Sequence, residues 1–197
     1  MSKISWKGST LLGPVPPALI TCGTLERPNV LTVAWTGIVN TQPPMTYISV
    51  RPERFSYPLI EQSKEFAINL PTVSLARAVD FCGVKSGRDT DKFAACSLTA
   101  EPASRISAPL LAESPLALEC RVRQQLELGS HHMFLADIVA VSVDPSLLGP
   151  DGGLRLDRAG LLAFAHGGYY ELGRQIGSFG HTVRKKPARP KRRAPNK

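Results

Sequence analysis

Leu116-Ala117-Leu118-Glu119-Cys120-Arg121-Val122-Arg123 carries an apolar residue at every second position, with Leu116, Leu118, Cys120 and Val122 facing one way and Glu119, Arg121 and Arg123 the other. A period of two over eight residues is the signature of a long strand buried on one face. After Gly129-Ser130, the run Met133-Phe134-Leu135-Ala136-Asp137-Ile138-Val139-Ala140-Val141-Ser142-Val143 reads as its antiparallel partner through a short hairpin. Asp144-Pro145 ends the pair.

Working towards the N-terminus, four further tracts of β-branched and apolar residues lie between turn formers: 17–24, 29–37, 45–50 and 66–70, the last closed by Pro71. Residues 56–64 suit a short helix, with Pro58 near its first turn where a missing N–H costs little. A second helix is expected from Ser74 to Phe81, with the serine as N-cap and Gly83 just past the end. Residues 84–96 read as a loop with one turn of helix, built around Ser86-Gly87-Arg88-Asp89. Towards the C-terminus, residues 161–164 offer a last short strand before Gly167-Gly168 and an irregular segment containing Tyr169 and Tyr170. The expected fold class is mainly β with short helices. Seven or so antiparallel strands point to a β-barrel, closed or nearly so, because closure removes exposed edges.

The chain has 197 residues, 43% of them hydrophobic, which suits one substantial core. Its formal charge of +8 is unevenly placed. Arg184, Lys185, Lys186, Arg189, Lys191, Arg192, Arg193 and Lys197 fall in the last 14 residues without an acid, leaving 16 basic and 16 acidic residues elsewhere. The expected organisation is a domain over 1–183 and a disordered basic tail over 184–197, since a charged, Pro-rich tail cannot offset the entropy of ordering. The neutral body argues against a nucleic-acid-binding surface, except for weak contact through the tail. No apolar run approaches the roughly 20 residues that span a bilayer, and the N-terminus has no signal-peptide stretch, so a cytoplasmic protein is expected. Cys22, Cys82, Cys96 and Cys120 are spaced by 60, 14 and 24 residues, which argues for reduced, mostly buried thiols and against disulfides or structural zinc.

The chain has no G-x-G-x-x-G opening a helix after a strand, no Walker A loop, no H-E-x-x-H and no G-x-S-x-G, which disfavours the corresponding nucleotide-binding folds and hydrolases. Adjacent His131 and His132 would point to opposite faces of a strand, so a metal site among the histidines is not expected. Between Asn29 and Phe93, however, hydroxyls (Thr32, Thr36, Ser49), cations (Arg51, Arg54, Lys92) and small residues (Gly83, Gly87) sit in or at the ends of apolar strands. A phosphorylated planar ligand needs that set: charge and hydroxyls for the phosphate, donors for a heteroaromatic edge, and an apolar surface for its face. Each residue alone also suits a plainer role, as a solvated strand-end charge, a generic loop or a core tryptophan.

Asn29-Val30-Leu31-Thr32-Val33-Ala34-Trp35-Thr36-Gly37, Pro43-Pro44-Met45, Ile48-Ser49-Val50-Arg51, Arg54-Phe55-Ser56 and Phe66-Ala67-Ile68-Asn69-Leu70-Pro71, in this order, resemble the flavin reductase-like family of FMN-binding split β-barrels, and its flavoredoxin branch in particular. The run from Cys82 to Phe93, the segment from Gly129 to Val139 and Tyr169-Tyr170-Glu171-Leu172-Gly173 extend the resemblance over about residues 10–183. It implies a homodimer with one non-covalent FMN per barrel, reduced by NADH or NADPH. It implies that Thr32, Ala34, Trp35 and Thr36 line the isoalloxazine edge, partly through backbone groups, and that Ser49, Val50 and Arg51 continue that wall. Arg54, Ser56 and Lys92 would hold the phosphate, with Ser86, Gly87 and Arg88 closing over ribityl or phosphate. His131 and Tyr169 would help place the nicotinamide. His132 follows His131 where relatives often carry a smaller polar residue, so the resemblance leaves open which imidazole faces the cleft.

With FMN bound, the expected activity is that of an NAD(P)H oxidoreductase, moving a hydride from nicotinamide C4 to flavin N5 across roughly 3 to 3.5 Å. No catalytic acid or base on the protein is needed, because the chemistry belongs to the cofactor. The alternatives are a flavoredoxin-type electron carrier fed by a redox partner protein, and a nucleic-acid-binding barrel supported only by the tail.

Overall fold

The computed structural model describes residues 2–183; the basic tail assigned from residue 184 lies outside the described residues. In chain order the elements are β1 (Ala18–Gly23), β2 (Pro28–Val33), β3 (Thr36–Thr41), β4 (Pro44–Val50), α1 (Ser56–Ser63), β5 (Glu65–Leu70), α2 (Ala76–Val84), α3 (Lys92–Cys96), β6 (Ala100–Glu101), β7 (Leu110–Leu111), β8 (Leu116–Glu127), β9 (His132–Val143), β10 (Leu162–Ala165) and β11 (Gly168–Glu171). Seven of these form one antiparallel sheet in the order β2-β1-β5-β8-β9-β4-β3, while β10 pairs with β11 and β6 with β7.

The long alternating hairpin is β8 with β9, at the middle of the sheet, where Leu116 pairs with Val143 and Glu127 with His132. At the outside of the same sheet lie β2 and β3, which are consecutive in the chain. The sheet must therefore curl until its two edges meet at Ala34-Trp35, and there the Ser49 N–H donates to the Trp35 carbonyl at 2.9 Å. The tract 29–37, expected as one strand, is thus two strands separated by a bend at Ala34-Trp35. That break is what turns an open sheet into a barrel with a seam.

Alternation along β1 and β2 divides the apolar residues between two layers. Ile20, Cys22, Leu31 and Val33 point into the barrel with Ile48, Val50, Phe66, Ile68, Phe134 and Ala136, and α1 adds Tyr57 and Ile60. Leu19 and Val30 point outwards and are covered by Val79 and Cys82 of α2 and Phe93 of α3. Phe66 and Phe134 are fully buried, each contributing on the order of 1.5–3 kcal/mol.

Three further expectations are corrected. The second helix is preceded by a turn of 3-10 helix over Val73–Leu75, with no side-chain cap, and Ser74 is inside that turn; α2 itself runs through Gly83, which packs against Thr32. Tyr169 and Tyr170 are in a regular strand, β11. Glu119 does face away from the barrel interior but is fully buried. Ser104 and Arg105 cover it, donating from both backbone N–H groups and the Ser104 hydroxyl at 2.6–3.1 Å.

Candidate functional site

The seam where β2 ends carries two adjoining cavities. One, of about 170 Å³, runs along the backbone of Leu31, Thr32, Val33, Ala34 and Trp35 and is walled opposite by Ser49, Val50, Arg51, Arg54 and His131. The other, of about 370 Å³, continues past Leu31, Arg51 and Arg54 to Phe55, Ser56, Lys85, Ser86, Gly87 and Lys92. Volumes of about 300–1,000 Å³ are usual for small-molecule sites, and shared walls make these two one elongated cleft. Its narrow end lies between the end of the edge strand β2 and the side of Ser49 to Arg51. Its wide end is cationic.

Lys92 defines that wide end. It is 5% exposed, and its ammonium donates to two neutral carbonyls, Val30 O at 2.7 Å and Cys82 O at 3.0 Å. Among the described residues no carboxylate forms an ion pair with it. Burial pulls its pKa below the usual lysine value; the nearby Cys82 opposes that and the Arg54 charge adds to it. A buried ammonium without a counter-charge is costly, and an anion in the adjoining cavity relieves that cost. Arg51 and Arg54 add positive charge to the same walls, and among the described residues lining them the one acid is Glu53, 3.6 Å from Arg51. The N-terminus of α1 opens onto the cavity at Ser56, which favours an anion as well.

The loop over this end is held by close packing. A Cβ on Gly87 would lie 2.2 Å from Asn29 Oδ1 and 2.8 Å from Phe55 Cδ1, so only glycine lets the loop settle there. Asn29 in turn donates through Nδ2 to the Ser56 hydroxyl at 2.6 Å, tying β2 to the start of α1.

Of the residues singled out from the sequence, Thr32, Ala34, Trp35, Ser49, Val50, Arg51, Arg54, Ser56, Ser86, Gly87, Lys92 and His131 line the two cavities. Two threonine hydroxyls are committed elsewhere: Thr32 Oγ1 donates to Val79 O at 2.5 Å and Thr36 Oγ1 to Tyr47 O at 2.7 Å. Thr32 therefore offers the cleft its backbone, and Thr36 is buried beside it. Arg88 lines the opposite side of the loop, with Glu26, Arg27 and Asp89. Tyr169 is set apart, its ring against Phe164 and its hydroxyl 3.5 Å from Asp80 of α2. Phe164 and Trp35 share a further cavity with residues 9–12 and His166.

The two histidines part company. His132 Nδ1 is 2.7 Å from the Tyr57 hydroxyl, and Gln125 Nε2 donates to the same oxygen at 2.7 Å, so His132 belongs to a polar cluster under α1. His131 lines the cleft beside Arg51 and Arg54. Burial and then the Arg51 charge lower its pKa, keeping the imidazole neutral near pH 7. Lys85, Phe55 and Asn29 also shape the site and were not singled out as ligand contacts. Asn29 had a signal, as the one polar side chain at the start of an apolar run.

The match to the Flavin reductase like domain spans residues 13–173, and the chain belongs to that family. An uncharacterized protein of Archaeoglobus fulgidus is 31% identical over 131 residues, 66% of this chain and 73% of that protein. The fold superposes on flavoredoxin of Desulfovibrio vulgaris (Miyazaki F) with a TM-score of 0.85 and 32% identity, covering 93% of this chain and all of that one. It also superposes on an FMN-binding protein from Thermus thermophilus, with a TM-score of 0.76, 23% identity, and 90% and 99% of the two chains covered.

Proposed function

We propose that this protein binds FMN in the seam cleft and passes to it electrons from NADH or NADPH. The observation that carries this reading is Lys92, a buried ammonium with only carbonyl partners, at the wide end of a cleft whose narrow end runs along the edge strand β2. A flavin phosphate matches the first and the edge of a fused heteroaromatic ring the second. Lys92, Arg54 and Ser56 would hold the phosphate, with the loop at Ser86-Gly87 closing over it. Backbone groups of Thr32 to Trp35 and the side of Ser49 to Arg51 would orient the ring. Bound FMN supplies the hydride-accepting chemistry. The chain's task is to fix the ring, keep water from one face and place positive charge from Arg51 where negative charge develops on reduction. His131, neutral and at the mouth, is placed to orient the incoming nicotinamide through a hydrogen bond.

The 32% identity to a flavoredoxin over that protein's full length favours a second reading, an FMN electron carrier fed by a partner protein. Anaerobic addition of NADH and then NADPH to the FMN-loaded protein separates the two: bleaching of the flavin bands supports the reductase, and bands that persist support the carrier. Protein that takes up no flavin overturns both. A cytoplasmic homodimer completes the proposal. Its support is that the edge strand β3 exposes Ile38 and Val39, which a second subunit would cover.

A further inference from the structure

Two cysteines that the proposed chemistry leaves unused meet between the helices that bracket the cleft loop. Cys82, on α2, is 1% exposed; Cys96, the last residue of α3, is half-buried and packs against the same apolar cluster. The two thiols sit in one apolar cluster, each within electrostatic reach of the other. The other two cysteines are engaged differently, Cys22 Sγ accepting from Asn29 Nδ2 at 3.5 Å and Cys120 Sγ donating to Leu118 O at 3.5 Å. Sequence spacing argued against disulfides, and all four cysteines are free thiols in the structure, yet the fold gathers one pair into the same apolar cluster between α2 and α3.

We propose that Cys82 and Cys96 form a reversible intramolecular disulfide when the protein meets a hydroperoxide. Cys96 is the entry point because it reaches solvent. Its sulfur attacks one oxygen of hydrogen peroxide, the O–O bond breaks, and a sulfenic acid and a water result. The Cys82 sulfur then attacks the Cys96 sulfur, the S–O bond breaks and a second water leaves. Two thiols have lost two electrons and two protons, and one peroxide has become two waters. Burial pushes the Cys82 thiol up to about 12, with the Lys92 charge acting against that, so Cys82 is not the thiol that meets the peroxide first; its proton leaves with the hydroxyl of the sulfenic acid as water. The bond would close a covalent ring over residues 82–96, fixing α2 to α3 and with them Lys92 and the loop at Ser86-Gly87.

The test uses the full chain with no flavin added, so its outcome is independent of the proposed function. Purified protein is treated with hydrogen peroxide, alkylated under denaturing conditions and mapped by mass spectrometry. The expected result is a mass loss of two hydrogens, two of four thiols protected from alkylation, and a peptide pair linking Cys82 to Cys96 that dithiothreitol releases. In C82S, Cys96 should instead accumulate sulfenic and sulfinic acid. Wild-type protein in which Cys96 overoxidises while Cys82 still alkylates, in which links form only between chains, or in which all four thiols persist would overturn the proposal. These readings come from the wild type and stand even where a variant folds poorly.

Discussion

The ammonium of Lys92 donates a 2.7 Å hydrogen bond to the carbonyl of Val30, so the first residue of α3 is anchored to β2 at the end of the cleft. That bond fixes the position of a positive charge and leaves the charge itself unbalanced. Replacing it by an uncharged chain of similar length, Lys92→Met, removes the charge together with its two hydrogen bonds. Charge-assisted hydrogen bonds are worth roughly 1.5–3 kcal/mol, so FMN affinity should fall about ten- to a hundredfold. The melting temperature of the flavin-free protein should move by only a few degrees, since a buried charge is lost along with its hydrogen bonds. Fluorescence titration and thermal melts check the two arms.

Gly87→Ala should act through shape. A methyl group there meets Asn29 Oδ1 and the Phe55 ring at well under contact distance, so the loop must lift from the cleft. Overpacking of this kind costs roughly 1–3 kcal/mol. The expected outcome is weaker FMN binding together with faster amide exchange over residues 85–91, read by hydrogen-exchange mass spectrometry.

Histidine substitutions should separate orientation from stability. His131→Ala leaves the Tyr57 cluster untouched and is expected to raise the KM for NADH or NADPH several-fold at near-constant melting temperature. His132→Ala strips Tyr57 of a partner 2.7 Å away and should lower stability by about 1 kcal/mol with little change in KM. Steady-state kinetics beside urea melts distinguish the pair.

Acid should unfold the barrel through two carboxylates. Burial opposes ionisation of Glu119, but the donors of Ser104, Arg105 and Ser142 outweigh it and hold its pKa low; at Glu65, burial is likewise outweighed by Ser107 and Arg121. Both groups therefore titrate lower folded than unfolded. Their stabilisation is complete above the ordinary carboxylate range near 4.5 and is lost as pH falls through the depressed folded values. Glu119→Gln should lower stability at pH 7 by about 1–3 kcal/mol and flatten the decline below pH 4.5 in urea melts.

How much of this was legible in the sequence varies with the physics of each element. The β8–β9 hairpin was plain, because Leu116 to Val122 alternate with period two and Gly129-Ser130 marks the turn. The break at Ala34-Trp35 was not, because Val33, Trp35 and Thr36 all favour strand, and only closure of the sheet forces the bend. Glu119 had the pattern of a solvent-facing residue. Its burial depends on a loop 15 residues away, which no local period reports. For the site, Arg51, Arg54 and Lys92 stood out as cations beside apolar strands, and the fold gathers them. Which histidine faces the cleft needed Tyr57, 75 residues from His132. The gathering of Cys82 and Cys96 into one apolar cluster likewise arises from helix packing that their spacing does not encode.

If the wide end of the cleft is built for a phosphate, paired titrations of the flavin-free protein with FMN and with riboflavin will show it. The expected result is saturable binding of one FMN per chain and at least about a hundredfold weaker binding of riboflavin, a difference near 2.7 kcal/mol. Equal affinity for the two flavins, or no binding of either, would contradict it.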